Sequence, residues 1–164
     1  MQFKSERLVY RHFKETDFEN FQQLTGNAQV MEMITGQPLN EEESFKRFLS
    51  HLETNKHEQV LGWYAVSLKD SLAFVGLGKL VMTEVAQAEI GYSLLPAYWG
   101  KGYASEISET LIRQARKLPA ISSLIAIIDP QNIASKKILQ KGNFNLLLVC
   151  DIDGLPAEIY QLDL

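Results

Sequence analysis

Apolar residues recur along this chain with two different spacings, and the changes between them mark out its elements. Leu8 to Phe13 reads as a first strand, after which Thr16-Asp17-Phe18-Glu19 has the spacing of a capping box and opens a short helix toward Leu24. Asn40 with Glu43 three residues later signals a second helix start. Phe45, Phe48, Leu49 and Leu52 then form an apolar stripe on a charged segment that runs to about Asn55, and the stripe is expected in the core. From Val60 the texture turns β-branched and aromatic. "VLGWYAVSLKD" and "LAFVGLGKLVM" predict two strands of a hairpin that turns at Lys69-Asp70-Ser71, and a further strand covers Ala88 to Leu94. The next helix shows its buried face in Ala104, Ile107, Leu111, Ala115 and Leu118, which step by three and four. After Pro119 the continuous run "ISSLIAIID" predicts a strand buried on both faces and ended by Pro130. A helix from about Gln131 to Lys141 follows. "FNLLLVC" and "AEIYQLD" are then joined by Asp151-Ile152-Asp153-Gly154, where Asp-Gly is a strong turn signal. The order β-α-α-β-β-β-α-β-α-β-β, with no repeat or linker, predicts one α/β domain over residues 1–164 built on a mixed sheet.

Composition narrows the function classes. Sixteen Lys and Arg are scattered among twenty Asp and Glu, for a net charge of −4, so no basic footprint for nucleic acid is present. Cys150 is the only cysteine, and His12, His51 and His57 lack metal-ligand spacing, so no metal is expected and each histidine reads as a surface or hydrogen-bonding residue. The N-terminal "MQFKSERLVYRHFKETD" is too charged for a signal peptide and no apolar run approaches the roughly 20 residues of a membrane helix, which leads to the expectation of a cytoplasmic protein without membrane contact.

The segment with most chemical content is "AEIGYSLLPAYWGKGYASE", where a strand leads into two glycines around a lysine and then a helix. A helix start offers about four unpartnered backbone N–H groups and the positive end of the helix dipole. Positions 100–104 contain no Ser, Thr, Asp or Asn that could cap those amides from within the turn, and Ser105 comes only later. Such a turn is built like a phosphate cradle, with Lys101 adding charge. The same glycines would also serve a tight strand-to-helix turn that merely needs positive φ angles. Neither a P-loop nor a dinucleotide fingerprint is matched.

That segment, the buried strand after it and "DPQNIASKKILQKGNF" together resemble the GNAT family of acetyl-CoA-dependent N-acetyltransferases, and within it the RimJ/RimL-like branch, over Phe3 to Leu162. "SERLVYRHFKETDFE" resembles that branch's opening. The resemblance implies acetyl-CoA as cosubstrate, with its pyrophosphate on the backbone amides of Trp99-Gly100-Lys101-Gly102-Tyr103-Ala104 and of Ser105, Trp99 standing where the family has Gln or Arg. It also implies that the strand Glu89 to Leu95, including Tyr92 and Leu94, splays from Leu124 to Asp129 to admit the pantetheine arm. Asn132 would bond the cofactor near its acyl end and Ser135 would lie next to the departing sulfur. Asn143-Phe144 replaces the family's frequent "GF", and Asn suits the left-handed end of a helix.

The implied reaction is direct attack of a neutral amine on the thioester, aided by a base and an acid. Many family members use a tyrosine as the acid, but the matching position is Leu139, which leaves Ser135 as the expected donor. Glu89 is the expected base, with Glu84 and Glu158 as competitors. Without an evident strong base, the acceptor leans toward a protein or peptide N-terminus, an amino acid or another weakly basic amine, because an α-amine has a pKa about 2.4 units below that of a lysine. The acidic balance of the chain would suit a cationic acceptor. A CoA-binding module without catalysis, suggested by Leu139, and a partner-binding domain in which the glycine turn is only a turn stay open, as do monomer and homodimer. Met31, Met33 and Ile34, in the segment from Gly26 to Asn40 expected to wall the acceptor cleft, are read as core residues.

Overall fold

Strand pairing organises the computed structural model, which describes residues 2–164. The strands are β1 (Gln2–Lys4), β2 (Leu8–His12), β3 (Gly62–Leu68), β4 (Phe74–Glu84), β5 (Gln87–Leu94), β6 (Ser123–Ile128), β7 (Asn145–Ile152) and β8 (Leu155–Asp163). They form one sheet in the order β1-β2-β3-β4-β5-β6-β8-β7, antiparallel throughout except between β5 and β6. The helices are α1 (Phe18–Thr25), α2 (Ala28–Met31), α3 (Glu41–Lys56), α4 (Tyr103–Ala115) and α5 (Ile133–Lys141). The expected mixed α/β order is present, with β1 and α2 added. Three and four residues are too few to show a period in the sequence.

Alternation along β3 shows how the core is divided. Tyr64 and Val66 belong to one apolar cluster with Ile107 and Leu111 of α4 and Leu139 of α5, whereas Ala65 between them belongs to a second with Phe21, Leu24 and Phe48 of α1 and α3. Successive side chains on a strand point to opposite faces, so α4 and α5 cover one face of the sheet and α1 to α3 the other.

Three expectations need correction. The box at Thr16 to Glu19 is instead a short 3₁₀ turn, Glu15–Asp17, in which Asp17 is buried. Arg11 grips its carboxylate with two N–H bonds of 2.6 and 2.7 Å and the Lys14 amide adds one of 2.7 Å, so the aspartate ties β2 to α1 rather than capping the helix. In α3 the Asn40 and Glu43 box does form, with reciprocal bonds of 2.9 and 2.8 Å. The stripe behind it divides, however: Phe48 is in the core while Phe45 and Leu49 stay about half exposed (47% and 48%). The buried positions are Ser44, Phe48 and His51, spaced i, i+4 and i+7, because α3 meets the sheet along a narrow side. Finally, "ISSLIAIID" is buried at Leu124, Ile125 and Ala126 but opens at Ile127.

That opening comes from the central pair. β5 and β6 are bonded only at Gln87↔Ser123, Ala88↔Leu124 and Glu89↔Ile125. Beyond Glu89 they part, and β6 continues against β8 alone. The sheet is therefore split at the end where β5 runs into the glycine turn. Downstream, α5 ends as its sequence suggests: Asn143 is left-handed at φ 65°, and Phe144 and Asn143 donate their N–H groups back to the Leu139 and Gln140 carbonyls at 3.0 Å.

Candidate active site

The five helix starts differ in one respect that matters here. Asn27, Asn40 and Asn132 cap α2, α3 and α5 by accepting backbone N–H groups, and α1 continues directly from the 3₁₀ turn, whereas α4 starts at a left-handed Gly102 without any side-chain cap. Gly100 and Gly102 are both left-handed, at φ 70° and 79°, a conformation costly for residues with a Cβ. Among the described residues the amides of Gly100, Lys101 and Gly102 have no backbone or side-chain acceptor. Nothing lies within 4 Å of the place a Cβ would take at Gly100, and only Arg7 at 3.4 Å approaches that of Gly102. Free amides, a dipole end and open space suit a phosphate group.

Arg7, which sequence reading passed over, holds this turn in place. Its Nη1 donates to the Lys101 carbonyl at 2.9 Å and its Nε to Glu106 at 2.7 Å, while the guanidinium lies 4.3 Å from the Tyr103 ring centroid. Glu106 also accepts Ser5 Oγ at 2.5 Å and the Arg7 amide at 2.7 Å. Burial pushes the Glu106 carboxyl up, but the bonds from Ser5 and Arg7 outweigh it and hold the carboxyl below its ordinary value. Lys101 is placed differently from expectation. Its Nζ lies 5.8 Å from the Tyr98 ring centroid and its side chain does not line the cleft, so the turn's unbonded polar groups are those of its backbone. Trp99, about half exposed, donates its indole N–H to the Leu94 carbonyl at 2.8 Å and closes the end of β5.

A cavity of about 610 Å³ extends from the turn into the split sheet. Gly100, Gly102, Tyr103, Ala104 and Ser105 line one end with Trp99, and Tyr92, Leu94, Asn132 and Ser135 line the other. A second cavity of about 210 Å³ lies toward α1 and α3. The two share Met33, Ile34, Tyr92, Ser93, Asn132 and Ser135, so a group delivered along the first would emerge into the second there. Met31 is core as expected, but Met33 and Ile34 are cleft lining.

At the junction Asn132 uses its side-chain oxygen to cap α5 through the Ser135 amide at 3.0 Å, leaving its NH₂ group for other partners. Ser135 is buried (8% exposed). Among the described residues the buried Tyr92 hydroxyl has no partner at hydrogen-bond distance; burial raises its pKa and the nearby Ser135 hydroxyl offsets part of that rise. Leu139 packs in the core beside the smaller cavity, an apolar wall with no proton to give.

Of the three carboxylates, only Glu89 lines either cavity, and Lys79 pairs with it directly. Glu84 is exposed at the far end of β4. Glu158 lies outside both cavities, bonded to Lys136 at 3.0 Å and to the Tyr160 hydroxyl at 2.9 Å. The smaller cavity also contains Arg47, which the sequence reading did not assign, and His51, which is buried against an aromatic ring instead of being the surface or hydrogen-bonding residue expected. His51 stacks on Trp63 at 3.6 Å, and its Nδ1 is buried without a partner. Burial, followed by the charges of Arg47 and Lys79, lowers its pKa to about 3, so it is neutral at physiological pH. Arg47 stands one helical turn before it and faces the same cavity, a pairing legible in their i, i+4 spacing.

Comparison with known proteins agrees with this geometry. The family described as "Acetyltransferase (GNAT) domain" matches residues 7–145. An uncharacterized N-acetyltransferase of Bacillus subtilis, YnaD, is 27% identical over 144 residues, which are 86% of this chain and 81% of the relative. Among solved structures, a GNAT-family acetyltransferase from Bacillus anthracis superposes with TM-score 0.85 at 23% identity, covering 99% of this chain and 98% of the other. The ribosomal L7/L12 α-N-protein acetyltransferase RimL, in complex with coenzyme A, gives 0.83 at 17% identity over 99% and 98%. A spermidine N-acetyltransferase from Vibrio cholerae, in complex with CoA and spermine, gives 0.80 at 15% over 97% and 96%. The uncapped glycine turn, the split strands and the matched family model lead to one conclusion: this chain belongs to the GNAT acetyltransferase family, an acyltransferase that uses acetyl-CoA.

Proposed function

We propose that the protein transfers the acetyl group of acetyl-CoA to the α-amine of a peptide or of a small molecule, and that it is allied to the RimJ/RimL-like branch. The observation that carries this reading is the meeting of the two cavities at Tyr92, Ser93, Asn132 and Ser135. The larger fits a CoA arm lying on the free amides of Gly100 to Ser105, and the smaller is an independent entrance for an amine. Bound acetyl-CoA supplies an activated acetyl carbon and a sulfur that leaves readily, its thiol having a pKa of about 8.5.

In the transfer the amine nitrogen bonds to the acetyl carbon, the carbon–sulfur bond breaks, and one proton passes from nitrogen to sulfur. Ser135 is assigned the donor role at Oγ, with the Tyr92 hydroxyl next to it as a buried group that has a proton and no competing partner. Glu89 is assigned the proton-accepting role, acting directly or through water. It must share its carboxylate with Lys79, so a weakly basic α-amine, which sheds its proton more readily than a lysine amine, is the acceptor this arrangement suits. Asn132 would orient the acyl end through its free NH₂ group.

The reading is tested by titrating acetyl-CoA into the native protein and into Gly102→Trp, and by following free-thiol release with a panel of peptides and small amines. Binding lost in the variant, together with amine-dependent thiol release, is the expected result. Binding without release for every amine would favour a CoA-binding module, and no binding by the folded native chain would defeat the proposal.

A further inference from the structure

The reading above leaves the acceptor's chemistry open, and the charges around the smaller cavity narrow it. Among the described residues three side chains of the charged types line that cavity, Arg47, Lys79 and Glu89. Lys79 and Glu89 neutralise each other. Among the described residues Arg47 has no carboxylate within salt-bridge distance, and it projects from an exposed position on α3. The lining is otherwise largely apolar, including Leu24, Met31, Met33, Ile34 and Leu77.

A cavity that receives a polycation needs carboxylates to meet the second charge. This one has a single carboxylate, already paired, and an unpaired guanidinium. Resting on the acetyltransferase reading, we propose that the acceptor is an amine that also carries a carboxylate, an amino acid or close analogue with an apolar body, and that Arg47 receives that carboxylate. Guanidinium and carboxylate match as a two-pronged pair of N–H bonds, a geometry lysine cannot reproduce. The apolar body would rest against Met33 and Ile34, where the two cavities meet.

His51 shares this cavity. It is buried one turn from Arg47, and both Arg47 and Lys79 oppose its protonation, after burial itself. An acceptor ammonium entering the cavity meets the same opposition. Burial in this largely apolar cavity, with Arg47 beside it, therefore also favours the neutral, nucleophilic form of the amine. Attack still joins the amine nitrogen to the acetyl carbon and releases the thiol, and the acceptor's carboxylate takes no part in the bond changes.

The test uses product pairs that differ only in the carboxylate. N-acetyl-leucine and N-acetyl-leucinamide, with the corresponding phenylalanine and methionine pairs, are titrated into native protein saturated with CoA and into Arg47→Gln under the same conditions. At least one acid is expected to bind ten- to a hundredfold more tightly than its amide, the worth of a charged hydrogen-bonded pair, and Arg47→Gln is expected to abolish the difference. Free leucine and spermidine are compared as acceptors by thiol release, with leucine expected to be the better. The proposal is overturned if no acid outbinds its amide, if the preference survives in Arg47→Gln, or if spermidine has the higher kcat/KM. CoA affinity is measured first: equal binding by native protein and Arg47→Gln isolates the acceptor question, whereas no CoA binding by the native protein would overturn the acetyltransferase reading and this inference with it.

Discussion

Replacing Arg7 by alanine tests whether the glycine turn is held in shape from outside. The guanidinium makes a 2.7 Å bond to Glu106, a 2.9 Å bond to the Lys101 carbonyl and a contact with the Tyr103 ring. Its side chain is 42% exposed against 13% for Glu106, so solvent screens the ion pair, and the sum of the lost contacts is about 1–2 kcal/mol rather than the larger figure for buried charges. For a chain of this length that corresponds to a fall in Tm of roughly 3–6 °C. The more telling effect is on acetyl-CoA. Among the described residues Gly100, Lys101 and Gly102 have no other bond from a side chain, and fixing a residue's backbone costs about 1–2 kcal/mol, so a turn that must order one residue more on binding should lose roughly five- to thirtyfold in affinity. Calorimetric titration of native protein, Arg7→Ala and Arg7→Lys with acetyl-CoA measures this. Lysine keeps the charge but cannot bond Glu106 and Lys101 at once, so it should recover little. A variant whose Tm falls while its acetyl-CoA Kd stays within twofold would refute the idea that the network shapes the cradle.

Other consequences can be measured in parallel. Gly100→Ala puts a Cβ into open space but onto a left-handed residue, so a stability loss of about 1–2 kcal/mol is expected in urea denaturation; no loss would mean that the turn has another conformation. Ser135→Ala should lower kcat by about a hundredfold or more with little change in the KM for acetyl-CoA, and Tyr92→Phe should show which hydroxyl gives the proton if the serine variant retains activity. His51 binds its proton in the unfolded chain near pH 6.5 but in the folded one only near 3, so its contribution to stability is full above 6.5 and is lost as pH falls toward 3. Stability should therefore drop by up to about 1.4 kcal/mol per pH unit between pH 6 and 5, and His51→Phe, which preserves a ring against Trp63, should flatten that slope. An unchanged slope in the variant would assign the effect to other groups, such as His12, whose pKa is also lowered by burial.

Much of the fold was legible because the deciding signals are local. The Asn40 and Glu43 pair, the Asp153-Gly154 turn with both residues left-handed, and the three- and four-residue steps of α4 each depend on residues within a turn or two of one another. The glycine turn was legible for the same reason, since the missing cap can be read from five consecutive residues. What failed was long-range. Asp17 looked like part of a cap until Arg11 was seen to claim it, and no spacing rule connects Arg7 to a carbonyl 94 positions away. Half of the α3 stripe stayed outside because a helix's buried width is set by what it packs against, and α3 meets only one side of the sheet. The Lys79 and Glu89 pair was equally hidden: register across β4 and β5 brings the two together, and register is not written in either strand alone.

The same distinction between chain-wide and local properties bears on the acceptor. A net charge of −4 suggests a cationic partner when it is read as a property of the whole protein. Screening limits an exposed charge to about 8–10 Å at physiological ionic strength, so an acceptor inside the smaller cavity responds to the few charges that line it and hardly to the rest. Those charges sum to one positive unit, because Glu89 is cancelled by Lys79 and Arg47 is left over. Overall acidity can steer an approaching cation toward the surface, but on the proposed reading the cavity would then oppose its entry. Under the proposal above, this sign reversal between surface and site would be a means of discrimination, favouring an amine that arrives neutral or brings a compensating carboxylate. Arg47→Glu should consequently reverse the order of preference, favouring a diamine over an amino acid by thiol release, and a variant that retained the native order would show that selection lies elsewhere than in this cavity's charge.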